Sequence, residues 1–302
     1  MTRASLAVLA LLGTGCIDRM ILDGTIQSTR QASSAFDTLS DLEVARLGAG
    51  SSIVQLEGMN KLAPDNEDAL FLLTQSWVGY GGAFIEDDWE QAVDRGDEEG
   101  EEYHATRARQ AYERALRFGV PLLEAHHPGF AAAQKNYETI TTYLKQFDKK
   151  DAENLLWVGA AWLSRGGVAA EKPEVVADLF VGVALLERSV ELDETLAYGL
   201  GLCALGAYHA RAPDAEMAQG KAMFEKALAN TGHKALTVQV MYAQNWACNA
   251  HDEALYRSLL KEVLDADDPL PQQRLENVIA QRKAKRYLGL PRLKRCGFGG
   301  KP

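Results

Sequence analysis

Four kinds of residue in this sequence carry reactive or binding chemistry: histidines, a run of carboxylates, cysteines and tryptophans. His126 and His127 offer imidazole nitrogens for a metal or a proton. On a helix adjacent side chains diverge by about 100°, and Pro128 with Gly129 follows, so the pair reads as a loop and not as a metal site. His104, His209, His233 and His251 show no ligand spacing. Between Glu86 and Glu102 ten acidic residues stand against Arg95 alone (EDDWEQAVDRGDEEGEE). The run lacks the alternating order of a calcium loop, which leaves a solvated loop or frayed helix. GLGLCALG at Gly199–Gly206 has a misplaced third glycine and no preceding strand, so helix packing explains it better than a dinucleotide does. No nucleophile, base or ligand set converges, and the chain is expected to be a binding module: no enzyme, no metal and no cofactor.

The cysteines point to an address. MTRASLAVLALLGTGC carries Arg3, a short apolar stretch from Leu6 to Leu12, then small residues up to Cys16. A membrane-spanning helix needs about 20 apolar residues, whereas this length fits the apolar region of an export signal. The small residues before Cys16 resemble the bacterial lipobox, with Leu12 one place further from the cysteine than that pattern has it. The expectation is a lipoprotein signal over 1–15, with Cys16 as a lipid-bearing N-terminus, and a tether over 16–36. Ordinary cleavage with an unmodified Cys16 is the alternative. Two or more acyl chains anchor stably where one does not. Ile17, not Asp, follows the cysteine, which favours the outer membrane, facing the periplasm. Cys203, Cys248 and Cys296 are then an odd number in an oxidising compartment. Cys203 and Cys248 fall in predicted helices of adjacent hairpins, as buried thiols or as a disulfide. Cys296 lies in a basic, glycine-rich stretch, 291–302, read as a flexible tail.

Trp77, Tyr80, Trp157, Trp162 and Trp246 all fall on predicted helices. Trp157 and Trp162 are five apart and cannot share one narrow stripe, so one of them is a candidate to face a cavity. These five are the candidate lining of a channel or groove for an apolar ligand; ordinary core packing is the alternative.

The elements that must position these residues are helices. YERAL at Tyr112–Leu116, LERSV at Leu186–Val190 and FEKAL at Phe224–Leu228 repeat one phrase. On a helix the large first letter shares a face with the small fourth letter, and with a small residue four places upstream: Ala108, Gly182 or Gly220. That face is a knob between two holes, suited to close packing against a neighbouring helix. The small fourth letters lie 74 and then 38 residues apart, which a unit of about 37 residues fits, near the tetratricopeptide period. From Asp37 onward nearly every segment reads helical, and no alternating run argues for a sheet. The fold class is all-α: degenerate tetratricopeptide-like hairpins packed as a compact α-solenoid over 37–290. The chain carries 302 residues, 47% of them hydrophobic, enough for a large core. Its charge of −10, passing to −11 if Arg3 leaves with the signal, excludes nucleic acid as a natural partner.

With these features assembled, the sequence resembles the T component of tripartite ATP-independent periplasmic (TRAP) transporters. The likeness runs through LFLLTQSWVGYGGAF, RARQAYERALRFGV, LLWVGAAWLSR, LLERSVELDETLAYGLGLCALGAYHARAP, FEKALA and RLENVIAQRKAKRYL. Glu194, where a repeat often has proline, and the acidic segment depart from it. The resemblance implies tetratricopeptide-like hairpins, a homotrimer, an apolar channel through each protomer, and docking of the periplasmic solute-binding protein. It supplies no catalytic residue. The alternative is a lipoprotein scaffold for envelope or outer-membrane assembly.

Overall fold

In the computed structural model, residues 3–169, 173–211 and 216–299 are described, with side chains from Ile17 onward except at 173 and 174. Among them there is no strand. The helices are α1 (Arg3–Ala32), α2 (Leu42–Leu62), α3 (Glu67–Tyr80), α4 (Glu86–Arg95), α5 (Glu98–His126), α6 (Phe130–Ala133), α7 (Tyr137–Leu144) and α8 (Ala152–Gly167). They continue with α9 (Pro173–Val176), α10 (Leu179–Asp193), α11 (Leu200–Arg211), α12 (Met217–Thr231), α13 (Leu236–Tyr242), α14 (Glu253–Asp265), α15 (Arg274–Tyr287) and α16 (Leu290–Arg295). One-turn π segments, Gly81–Ile85 and Ala243–Ala247, follow α3 and α13.

Local chemistry sets the boundaries. Asp41, Asn66, Asp97, Asn136 and Asp252 each cap a helix by accepting a backbone N–H from its first turn. Gly96 and Gly232 end α4 and α12 in the left-handed conformation. Gly48 and Gly50 do not interrupt α2, and α5 runs past Phe118 and through Pro121 to His126, because Leu122 and Leu123 beyond it are buried.

The repeated phrase does what its pattern requires. Tyr112, Leu186 and Phe224 are each essentially inaccessible, and each lies over a glycine of an earlier segment. A Cβ at Gly81 would come within 2.9 Å of the Tyr112 ring, at Gly159 within 2.8 Å of Leu186, and at Gly206 within 2.9 Å of Phe224. Helices therefore pack in sequence, α3 on α5, α5 on α8, α8 on α10 and α11 on α12. The last ones return to the first: α15 touches α2, and α16 touches α4. The solenoid closes on itself.

Two segments differ from their reading in the sequence. The stretch expected to be a tether is helical as far as Ala32, and its Ile26 is fully buried against Leu70 and Leu73. Asn66 donates to Asp23 and Arg30 lies over the Phe71 ring, so burial and polar contacts that no periodicity announced hold it to α3. The 291–302 tail, as far as it is described, is packed as well. Arg292, Leu293, Cys296 and Phe298 are buried, and Cys296 is bonded to Cys248. The Cys203–Cys248 pairing does not occur; Cys203 is a free buried thiol whose pKa burial pushes up to about 12.

Candidate functional site

The acidic run supplies the most concentrated polar chemistry in the protein, and half of it is interior. Asp87, Glu90 and Asp94 fall at i, i+3 and i+7 on α4, one face of the helix. That face meets the arginines of α15 and α16. Arg286 reaches Asp87 at 2.5 Å, contacts Glu90, and lies 3.3 Å from Asp94. Arg292 reaches Asp94 at 2.7 Å and Glu90 at 3.4 Å. Arg282 and Arg295 flank the group from Asp87 and Asp94. Asp87 and Glu90 are each 4% exposed. The Tyr287 hydroxyl lies 2.7 Å from Glu90 Oε1 and 2.6 Å from Gln244 Oε1 and donates to one at a time, while Gln244 Nε2 donates to Glu90 at 3.0 Å. The π segment after α13 places Gln244 there.

Burial alone would push the Glu90 carboxyl up; the surrounding charges of Lys283, Arg292 and Arg286, with the Tyr287 hydrogen bond, bring it instead down to about 2. Burial likewise works against the Arg286 guanidinium, and the Glu90 and Asp87 carboxylates raise it. Glu86, half-buried beside this group, accepts from Tyr112, and burial raises its carboxyl despite Lys283. Asp88 points the other way and takes a bidentate contact from Arg46 of α2 at 2.8 and 2.9 Å. The remainder of the run, Asp97 to Glu102, is the N-cap and first turn of α5, where carboxylates complement the helix dipole. The first half of the segment, residues 86–94, is therefore a joint between α4 and the C-terminal helices, and its second half, residues 97–102, is a largely exposed helix start.

The candidate aromatic residues divide. Trp77, Tyr80, Trp157 and Trp162 pack on one hydrophobic cluster, with Trp89, which the sequence reading did not single out. Trp246 belongs to another, where its N–H donates to the Met217 carbonyl at 2.7 Å and its ring meets Tyr242 edge-on. The Trp77 N–H donates to Glu57 at 3.0 Å. The indole N–H groups of Trp89, Trp157 and Trp162 are buried with no partner among the described residues. Two surface recesses, one where α2, α4 and α15 meet and the other beside His233 and Lys261, are lined by none of the five candidates. The Cys16 side chain lies outside the described residues.

His126 and His127 are brought together with Asp151. His126 Nδ1 is 2.9 Å from Asp151 Oδ1, and His127 Nε2 is 3.1 Å from Oδ2. Glu67 lies 3.1 Å from His126 Nε2. No group of three or more His, Cys, Asp or Glu side chains is disposed to hold a metal among the described residues. Asp151 is 4% exposed; burial would raise its carboxyl, and the Asp148 N–H and both imidazoles together bring it below its ordinary value. This clasp joins the end of α5 to the start of α8, and sequence spacing concealed it because its members lie 24 and 25 residues apart.

Residues 38–290 match a family described as TRAP transporter T-component. No curated protein matches the chain.

Proposed function

The chain belongs to the T-component family of TRAP transporters, a family of transporter components, and from that premise we propose that it is a lipid-anchored, periplasm-facing scaffold. It docks the periplasmic solute-binding protein of such a system and holds or conducts an apolar solute. Anchoring is assigned to acylated Cys16, at the outer membrane. No helix among the described residues is long and apolar enough to cross a membrane. The Cys248–Cys296 disulfide supports an oxidising compartment. A homo-oligomer, a trimer as the family resemblance implies, belongs to the same proposal.

The observation that carries the solute reading is the trio of unpartnered indole donors. Buried polar groups without a partner are rare in native proteins and call for an explanation. The carboxylates of α4 face fixed arginines of opposite charge, whereas Trp89, Trp157 and Trp162 leave three unpartnered N–H groups in apolar surroundings. An apolar solute bearing a hydrogen-bond acceptor satisfies both features. The resemblance alone implies the docking.

The test is purification of the tagged protein from its native membrane under mild crosslinking, with mass spectrometry of what accompanies it. A TRAP-type solute-binding protein well above an untagged control is expected. Recovery of outer-membrane assembly factors without a binding protein overturns the docking reading and favours the envelope scaffold.

A further inference from the structure

The end of the molecule beside Cys16 carries apolar side chains that the fold leaves uncovered. Ile17, Met20 and Ile21 of α1 are 53%, 68% and 63% exposed. Spaced i, i+3 and i+4, they share one face of the helix. Further along that face come Gly24, where a Cβ would meet nothing within 4 Å, and then the exposed polar residues Ser28 and Gln31. The apolar surface is therefore confined to the stretch that directly follows Cys16. Leu62, the last residue of α2, is 72% exposed and belongs to the same end, because the turn from α2 to α3 is tied to α1. Asp65 accepts from Arg19 at 2.8 Å, and Asn66 donates to Asp23 at 2.7 Å. Single exposed apolar residues need no explanation, but a group of them gathered at one end does.

The residue that precedes Ile17 selects what covers this surface. An acylated Cys16 holds its backbone at the boundary between lipid and water, and Met20 and Ile21 stand only about 6 and 8 Å from it along the helix. That lies within the roughly 5–10 Å over which the headgroup and acyl boundary takes up apolar side chains. Gln31, on the same face, is about 22 Å from Cys16 and beyond that depth. The helix is not free to swing away, since its inner face is fixed to α3: Ile26 is buried, and Arg30 reaches Asp68 at 2.5 Å and lies over the Phe71 ring. The connection between lipid and body is therefore a rigid stalk. From Glu67 to Arg95, α3, its π segment and α4 run on without a break, a length of about 40 Å. The joint of α4 with α16, and Leu290 at the start of α16, 69% exposed, thus lie at the other end from Cys16.

Resting on the lipid anchor at Cys16 assigned above, we propose that Ile17, Met20, Ile21 and Leu62 sit in the membrane interface, so that the solenoid stands end-on on the lipid surface with the α4 joint turned away from it. The test uses the full acylated chain in phosphatidylcholine vesicles that contain a lipid spin-labelled near its headgroup. An environment-sensitive fluorophore is attached to one introduced cysteine at a time, in Met20→Cys, Leu62→Cys, Gln31→Cys and Leu290→Cys. All four positions are exposed, so the protein tolerates the label. Cys203 is buried and Cys248 is bonded to Cys296, which leaves the introduced thiol to react. At positions 20 and 62 more than about half of the emission is lost to the spin label, as burial to that depth requires; at positions 31 and 290 it is unchanged. Protein that fails to float with the vesicles overturns the anchor and this orientation with it. Protein that floats but keeps full emission at 20 and 62, or loses it equally at 290, overturns the orientation and leaves the anchor standing. Emission at 20 and 62 that is shifted to the blue without being quenched would put another protein chain on this surface, and overturns it too.

Discussion

Glu90 shows what a single buried charge does here. It is held by Arg286, Arg292, Tyr287 and Gln244, with its pKa lowered from an ordinary 4.5 to about 2. A carboxyl depressed in the folded state stabilises above its unfolded pKa and stops doing so as pH falls through the folded value. The contribution of Glu90 is therefore complete above about pH 4.5 and lost between there and about pH 2. Glu90→Gln is expected to cost about 3 kcal/mol at neutral pH, because it leaves buried arginine charge uncompensated. It should also flatten the melting temperature across that acid window; an unchanged acid profile would contradict the assignment. The tryptophans give a second contrast. Trp77→Phe and Trp162→Phe remove the same ring volume, but only Trp77 loses a hydrogen bond to a carboxylate. In urea titrations Trp77→Phe should cost about 1.5 kcal/mol more. An apolar solute bound at the unpartnered indoles would instead be weakened by Trp162→Phe.

Among the elements, hairpin packing rests on close approaches at glycines, Gly182 in the repeated pattern and Gly206 in GLGLCALG among them. Gly206→Ala puts a methyl 2.9 Å from the Phe224 ring, and Gly182→Ala puts one 2.7 Å from Trp162 Cβ. Each should destabilise by about 1–3 kcal/mol, visible as a lower thermal midpoint, because a closed pair of helices cannot separate without losing its neighbours' contacts. The phrase was legible because helical periodicity puts residues three and four apart on one face whatever lies across from them. The Cys248–Cys296 bond was not legible, since it joins α16 to the segment after α13 across 48 residues. Loop-closure arithmetic gives it about 4 kcal/mol at most. The Cys248→Ser, Cys296→Ser double variant should lower guanidinium stability by up to that amount. It should also expose the bonds after Arg292, Lys294 and Arg295 to trypsin; a resistant tail would show that packing of Leu293 and Phe298 suffices alone.

For the whole molecule, the consequence of the α4 joint is that the C-terminal helices close back onto the N-terminal part of the solenoid: α15 and α16 pack on α2 and α4. Arg286→Met removes the cation common to Asp87, Glu90 and Asp94. It should raise hydrogen exchange in α4 and α16 together while α8 and α10 stay protected, whereas exchange confined to α15 would mean that the ends do not act as a unit. Composition and periodicity by themselves determined that the chain is helical, built of hairpins, acidic and rich in buried small residues. These are local properties, set by propensity and by the 3.6-residue turn, and the family likeness rode on the same motifs. What tertiary structure alone decided was where the charges went. Asp87, Glu90 and Asp94 look like any solvated acidic face until arginines almost 200 residues away are brought against them. A carboxylate's burial depends on the partner the fold supplies and not on its neighbours in the chain. The same holds for Ile26 and Cys296, read as parts of a tether and a tail: each is held by contacts with a distant helix, which no window of sequence contains.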